Sequence, residues 1–333
     1  MKSSIIPFQF FIHLLSHKRA KEPRRGAVIM SEEQYLPDNS WDVHVHLFDP
    51  VKFPLAQTRP YTPGPAQFTD LIKGSGALNY MIVQASVEDG SQSLLYHLRT
   101  LQAENPNRKI RGTLLWDGID PYKNNLLHED LDELHRIGIR CLRVHGTLGA
   151  TSGLSPDSMA QSVEKILRGP ISTIAAKQHW AISMQLPLEV WVSLRGFLRG
   201  MSKDITIIAE HCASIPLSRD DAQTAKGVGT LCEMLREGTV YIKLGALHRR
   251  MSGAASGDVR TMAQCVSRLA EAGPTRLLWG SDWPHVNASV RSMEPAPFLQ
   301  IDAKQELAWL REAMSPETYE RMLTGSSESL FGS

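Results

Sequence analysis

Eight short apolar or β-branched runs recur along this chain, and most are followed by a stretch of helical periodicity. The runs are Trp41–His46, Tyr80–Ser86, Ile110–Trp116, Cys141–His145, Ala181–Leu186, Thr206–His211, Val240–Leu247 and Leu277–Asp282. Their spacing of about 25–42 residues is what one strand, loop, helix and loop consume in a (β/α)8 barrel. Strands that alternate with helices favour parallel pairing, since a parallel partner is reached only through a crossover. The expectation is an α/β fold, a single-domain (β/α)8 TIM barrel over residues 39–333.

The segments between the runs carry the matching period. Leu94, Leu98 and Leu101 share one helical face, as do Leu127, Leu131 and Leu134, and Val259, Met262, Val266 and Leu269. Ser155-Pro156-Asp157 sets a capping hydroxyl before a proline at the first helical position, opening a helix through Met159, Val163 and Ile166. A further helix is expected from Gln305 to Met314, and another opens at Ser315-Pro316-Glu317. Two connections stand apart. The one after the first run holds Pro50, Pro54, Pro60, Pro63 and Pro65 around Arg59 and Tyr61, too many prolines for a helix. The one after the seventh run, Ser252 to Gly257, is built of glycine and small residues and reads as a lid or gate.

Residues 1–38 read differently. The apolar stretch from Ile5 to Leu15 is too short to span a bilayer, and a basic run follows where a signal peptide would place small residues for cleavage. A disordered extension is the favoured reading, with a mitochondrial transit peptide as the alternative. The formal net charge of +1 gives no electrostatic case for nucleic acid or an anionic membrane as partner. The four cysteines show no CxxC spacing, which suits a reducing, cytoplasmic setting better than disulfides or a zinc ribbon.

The chemistry gathers where runs end. In Trp41-Asp42-Val43-His44-Val45-His46 the two histidines alternate and so share a face. His211 ends the sixth run and Asp282 the eighth, the latter a carboxylate placed to act as general base or metal ligand. Arg143 and His145 alternate on the fourth run, and Arg249 follows the seventh. Arginines at a barrel mouth suit a substrate carboxylate or phosphate, or else pair with neighbouring acids.

Asp42-x-His44-x-His46-Leu47-Phe48-Asp49-Pro50, with Trp279-Gly280-Ser281-Asp282-Trp283-Pro284-His285, resembles the amidohydrolase-related (amidohydrolase 2) family of TIM-barrel hydrolases. More narrowly, the chain is similar to the 2-pyrone-4,6-dicarboxylate lactonase and sugar-lactone hydrolase branch. Glu210-His211, Lys243-Leu244-Gly245 and the closing Leu330-Phe331-Gly332 add to the match. The resemblance implies hydrolysis of a cyclic ester at its carbonyl. Asp282 would activate water, and His44, His46 and His211 would polarise the carbonyl. Arg143, Arg249 and Tyr61 would hold substrate carboxylates, with His145, Gln185 and His285 also lining the pocket.

Two departures refine this expectation. Metal-dependent members place a lysine or glutamate on the fourth strand or a histidine on the fifth; here stand Arg143-Val144-His145 and Met184-Gln185-Leu186. Glutamine is a poor zinc ligand, so no cofactor is favoured. The alternative is a divalent metal, zinc, on His44, His46, His211 and Asp282. No second arginine follows the fourth run, which points to a monoacid or neutral lactone as well as a dicarboxylate. The leading expectation is therefore a lactone hydrolase whose rate rises with pH as Asp282 ionises. A metal-dependent decarboxylase or amide hydrolase is the second reading, and a non-catalytic carboxylate-binding barrel the third. A small molecule is the expected partner, and the sequence is silent on oligomeric state.

Overall fold

The computed structural model describes residues 35–116, 130–145, 154–252 and 256–333. The N-terminal segment 1–34, the stretch after the fourth strand at 146–153, and half of the expected lid, 253–255, lie outside the described residues. The compact unit that carries the site runs from Leu36 to Ser333.

Eight strands form: β1 (Trp41–Val45), β2 (Asn79–Val83), β3 (Ile110–Leu115), β4 (Ile139–Val144), β5 (Ala181–Met184), β6 (Thr206–Ala209), β7 (Tyr241–Leu244) and β8 (Leu277–Trp279). They pair in sequence order, and every ladder from β1·β2 to β7·β8 is parallel. This is the (β/α)8 barrel the spacing predicted. Most observed strands stop a few residues short of the expected runs, because the residues that carry chemistry have already left the ladder.

The helices are α1 (Phe68–Ser75), α2 (Gln92–Glu104), α3 (Leu131–Arg136), α4 (Pro156–Leu167), α5 (Pro170–Gln178), α6 (Leu188–Arg199), α7 (Ala222–Glu237), α8 (Ser256–Ala272), α9 (Ala303–Glu312), α10 (Pro316–Leu323) and α11 (Gly325–Phe331). Capping explains several starts. The Ser155 hydroxyl accepts from Ser158 N ahead of Pro156, Asp221 accepts from Thr224 N, and Ser315 accepts from Thr318 N. Leu94, Leu98 and Leu101 are buried on α2, as expected. The Leu127–Leu134 stripe is shorter than the pattern suggested: α3 buries Leu134, and Leu127 lies outside the described residues. Pro170 opens a second helix, α5, after β4, a start that periodicity had not separated from α4.

The barrel floor is a layer of Trp41, Val43, Met81, Val83, Cys141, Ala181, Ile208 and Leu278, closed below by Phe331. Each large apolar side chain buried there contributes about 1.5–3 kcal/mol. Strict alternation from Trp41 and Val43 would turn His44 and His46 away from the interior. The β1·β2 register shifts between Asp42 and Val45, a bulge that changes the parity and brings both histidines inward above the floor.

Barrel closure between β8 and β1 is made just at this point. Asp282 N donates to His44 O at 2.8 Å, and His46 N donates to Trp283 O at 2.8 Å. Beneath them the buried Asp42 carboxylate accepts from Ser281 N at 2.9 Å and from Ser75 Oγ at 3.1 Å. The seam that completes the fold thus also sets His44, His46 and Asp282 side by side.

Candidate active site

His44 stands at the centre. Its Nε2 lies 3.6 Å from Asp282 Oδ1 and its Nδ1 lies 3.7 Å from Glu210 Oε1. The His46 and His211 rings flank it, with centroids 5.1 and 4.7 Å away. His46 Nδ1 is 2.7 Å from the Val83 carbonyl, which can only accept, so that nitrogen carries a proton and Nε2 is turned to Asp282 Oδ1 at 3.6 Å. The four groups named from the strand ends therefore share one site at the C-terminal end of the barrel.

The backbone leaves β6, β7 and β8 in an uncommon way. Apart from His179, which ends α5, every non-glycine residue at positive φ among the described residues follows one of these strands: His211 to Ser214, Ala246, Asp282 and His285. Such conformations cost about 1–3 kcal/mol each and concentrate where surrounding packing holds a working side chain in place. Glycines make the close approach possible. A Cβ on Gly245 (φ 149°) would sit 2.0 Å from Gly280 O, and one on Gly280 would sit 2.5 Å from His44 Cβ.

Both arginines already face acids, the alternative that the sequence left open. Arg143 Nε donates to Glu210 Oε2 at 2.9 Å, and Arg249 Nε donates to Asp282 Oδ2. Lys243 Nζ lies 3.5 Å from Glu210 Oε1. Burial would raise the Glu210 carboxyl, but Arg143, then His44 and Lys243, outweigh it and hold it well below the usual carboxylate range. Asp282 behaves likewise: burial opposes ionisation, while His211, the nearby His46 and the Arg249 guanidinium hold it well down. The expected rise of rate with pH as Asp282 ionises therefore falls below the neutral range. Burial drives the imidazoles the other way, toward the neutral form: His44 well below its ordinary value, His211 to about 4 and His145 to about 3. With His44, His211 and His145 driven toward the neutral form, the cations Arg143, Lys243 and Arg249 outnumber the carboxylates Glu210 and Asp282 three to two, a balance that suits an anionic substrate.

The remaining sequence candidates fall on both sides. Tyr61 enters from the proline-rich loop; burial raises its phenol, and Ser86, Arg143 and Arg249 stand near it. That loop is tied across the barrel mouth by Arg59 and Thr62, which donate to Met293 O. His145 neighbours Arg143, Glu210, His211 and His46. His285 follows Asp282 by one turn, its N donating to Asp282 O at 2.9 Å. Gln185 sits partly exposed past β5, and no hydrogen bond ties it to the cluster among the described residues. Sequence reasoning left Glu210, Lys243 and Asp42 as motif neighbours rather than site residues. Their signal was charge at an inward or seam position of an apolar strand.

Among the described residues, two groups of side chains could hold a metal ion. One is His44, His46 and Asp282, and the other is His44, Glu210 and His211, so the four expected ligands divide into two sets. The first fits zinc better: imidazole and carboxylate are its usual donors, and His46 Nδ1 makes the backboned hydrogen bond that orients a ligating Nε2. Among the described residues, both His44 nitrogens are buried without a hydrogen-bond partner, which fits a metal-ligating or substrate-facing imidazole. In the second set Glu210 is already engaged by Arg143.

Residues 41–332 match the family model described as Amidohydrolase. A 4-sulfomuconolactone hydrolase of Rhizobium radiobacter is 28% identical over 261 residues, which cover 75% of this chain and 77% of that protein. A 2-pyrone-4,6-dicarboxylate hydrolase of Comamonas testosteroni is 25% identical over 268 residues, covering 76% and 79%. A crystal structure from Acinetobacter baumannii, described as a probable 2-pyrone-4,6-dicarboxylic acid hydrolase with citric acid bound, shares the fold at a TM-score of 0.62. It is 20% identical and is matched over 89% of this chain and 100% of its own.

Proposed function

This chain belongs to the amidohydrolase family, and we propose that it opens the ring of a lactone, or a related cyclic ester, of a small carboxylated metabolite. The observation that carries the reading is the convergence of His44, His46 and His211 on Asp282 beside Arg143 and Arg249. The relatives named as lactone hydrolases support the same reaction class.

In this reading the Asp282 carboxylate accepts a proton from water as the water oxygen bonds to the lactone carbonyl carbon. The His44 and His211 imidazoles face the oxygen that gains negative charge, and donors fixed in a dry site favour that state over the ground state. The C–O bond of the ring then breaks, and Asp282 returns its proton to the departing oxygen, leaving a hydroxy acid. Arg249 keeps Asp282 ionised before the reaction and, with Arg143 and Tyr61, aligns a substrate carboxylate. A divalent cation on His44, His46 and Asp282 would add Lewis acidity at the carbonyl when bound.

That donor set also favours one second reading, a metal-dependent decarboxylase or amide hydrolase on the same barrel. A screen of carboxylated and neutral lactones by proton release at neutral pH, before and after chelation, separates the readings. Turnover of lactones supports the first, and zinc-dependent release of carbon dioxide or amine without lactone turnover replaces it with the second. The setting proposed is the cytoplasm and the partner a small molecule. The four cysteines are free and buried, in keeping with a reducing compartment. No helix among the described residues is long and apolar enough to cross a membrane.

A further inference from the structure

The turn after β7 carries two arginines in succession, and the mechanism uses only the first. Arg249 reaches toward β8, where its Nε donates to Asp282 Oδ2 and its Nη2 donates to Val286 O at 3.1 Å. Arg250 lies against the β6 side instead: Cys212 acts on it most strongly, and His211 feels its charge. The backbone agrees with this placement. Arg250 O accepts from Leu217 N at 2.8 Å and Ser218 Oγ accepts from Ser252 N at 2.7 Å, so the turn is stitched to the segment that leaves His211. Glu306, buried on α9, holds the start of the same turn by accepting from Leu247 N at 3.1 Å and His248 N at 2.8 Å, and it is thereby occupied.

Arg250 has no acid of its own. Its side chain is half-buried, its Nε is buried without a hydrogen-bond partner, and among the described residues Asp282 acts on it only from beyond ion-pair distance. Burial pulls the guanidinium below its ordinary value, but an arginine side chain stays charged at any working pH. A half-buried cation with an unsatisfied donor weakens the resting fold, so its benefit belongs to a state in which an anion is present.

Ring opening creates such an anion. A lactone and one water give a hydroxy acid, which at neutral pH releases one proton to solvent and becomes a carboxylate. One oxygen of that carboxylate is the former carbonyl oxygen, on the side of His44 and His211, and the other comes from the water. By then Asp282 has passed its proton to the departing oxygen and is ionised again. Two carboxylates side by side repel each other. Arg249 is committed to Asp282 and Arg143 to Glu210, and Arg250, beside His211, is the guanidinium left without an acid.

We propose that Arg250 is the product-binding residue of this site, and that it takes the carboxylate made when the ring opens rather than a carboxylate the lactone brings with it. The assignment rests on the lactone-opening function proposed above.

The test uses the full chain and a neutral lactone, whose only carboxylate is the one that hydrolysis makes. Initial rates are followed by proton release, with the corresponding hydroxy acid added as inhibitor. Arg250→Met should raise Ki for the hydroxy acid about 10–100-fold and leave KM for the lactone within about twofold of wild type. Arg250→Lys keeps the charge and should give a Ki between the two. An unchanged Ki, a Ki and KM that rise by the same factor, or a lysine variant no better than methionine overturns the assignment. Stability gives a readout apart from activity. Methionine at this position breaks no hydrogen bond or ion pair of the side chain, so Arg250→Met should unfold in denaturant no earlier than wild type. Earlier unfolding would mean that Arg250 is paired in the resting protein, and would also overturn the proposal. If wild type opens no lactone, the function proposed above is wrong and the assignment falls with it; lactone turnover with an unmoved Ki removes Arg250 alone.

Discussion

Arg143 and Arg249 look alike in the sequence and differ in what they hold. Arg143 is buried against Glu210, so Arg143→Met leaves that carboxylate facing Lys243 and His44 in the barrel interior. Breaking a buried pair from one side costs about 3–5 kcal/mol, so this variant should lose stability in denaturant titration. Arg249 is more open, and Arg249→Met should raise KM for carboxylated lactones about 10–100-fold while affecting KM for neutral ones little. Equal KM changes for both lactone types would remove Arg249 from anion binding. Glu88 makes a different kind of prediction. Burial raises its carboxyl to about 7, and it accepts from Ala85 N at 2.7 Å. Between the ordinary value near 4.5 and about 7 the folded chain binds more protons than the unfolded one, so stability falls as pH rises through that window. Glu88→Gln escapes this loss. Its advantage over wild type in unfolding free energy should open between about pH 4.5 and 7, reach on the order of 3 kcal/mol, and stay level above. A difference that does not change with pH would show that Glu88 is not buried as a proton-binding group.

The strand ends show what patterning can and cannot reveal. Eight apolar runs were enough to predict eight strands, because each must bury both faces in a parallel barrel. The bulge in β1 left no such mark: Trp41 and Val43 pack in the floor while His44 and His46 reach the site, and only the β1·β2 register displays the shift. Glu210, Lys243 and Asp42 were also hard to weigh in sequence, since a charge at the end of an apolar strand reads equally as solvent-facing until its partners are placed. The Glu306–His248 pair joins residues from α9 and the turn after β7, a contact that no local period encodes. The β8–β1 seam gives the test that belongs to these elements. Gly280→Ala places a methyl group against His44 Cβ, so it should displace β1 from β8 at the level of His44, costing about 1–3 kcal/mol and most of the activity. Wild-type kcat and Tm in Gly280→Ala would mean that the seam does not position the site.

Over the whole molecule the charges nearly cancel, with a formal net charge of +1, yet the barrel mouth concentrates three cations and two carboxylates beside the histidine cluster. The protein is thereby neutral toward most partners and selectively attractive at one end, an arrangement suited to drawing in a small anion. The fold supplies the geometry through one seam, one bulge and a few residues held at positive φ, and the chemistry follows from what those features bring together. The decisive experiment is a proton-release assay of a carboxylated lactone at neutral pH with wild type and Asp282→Asn. Asparagine keeps the shape but accepts no proton, so kcat should fall about 10²–10⁴-fold while KM stays close to wild type. An Asp282→Asn enzyme that opens the lactone at the wild-type rate would contradict the assignment of Asp282 as the proton-transfer group.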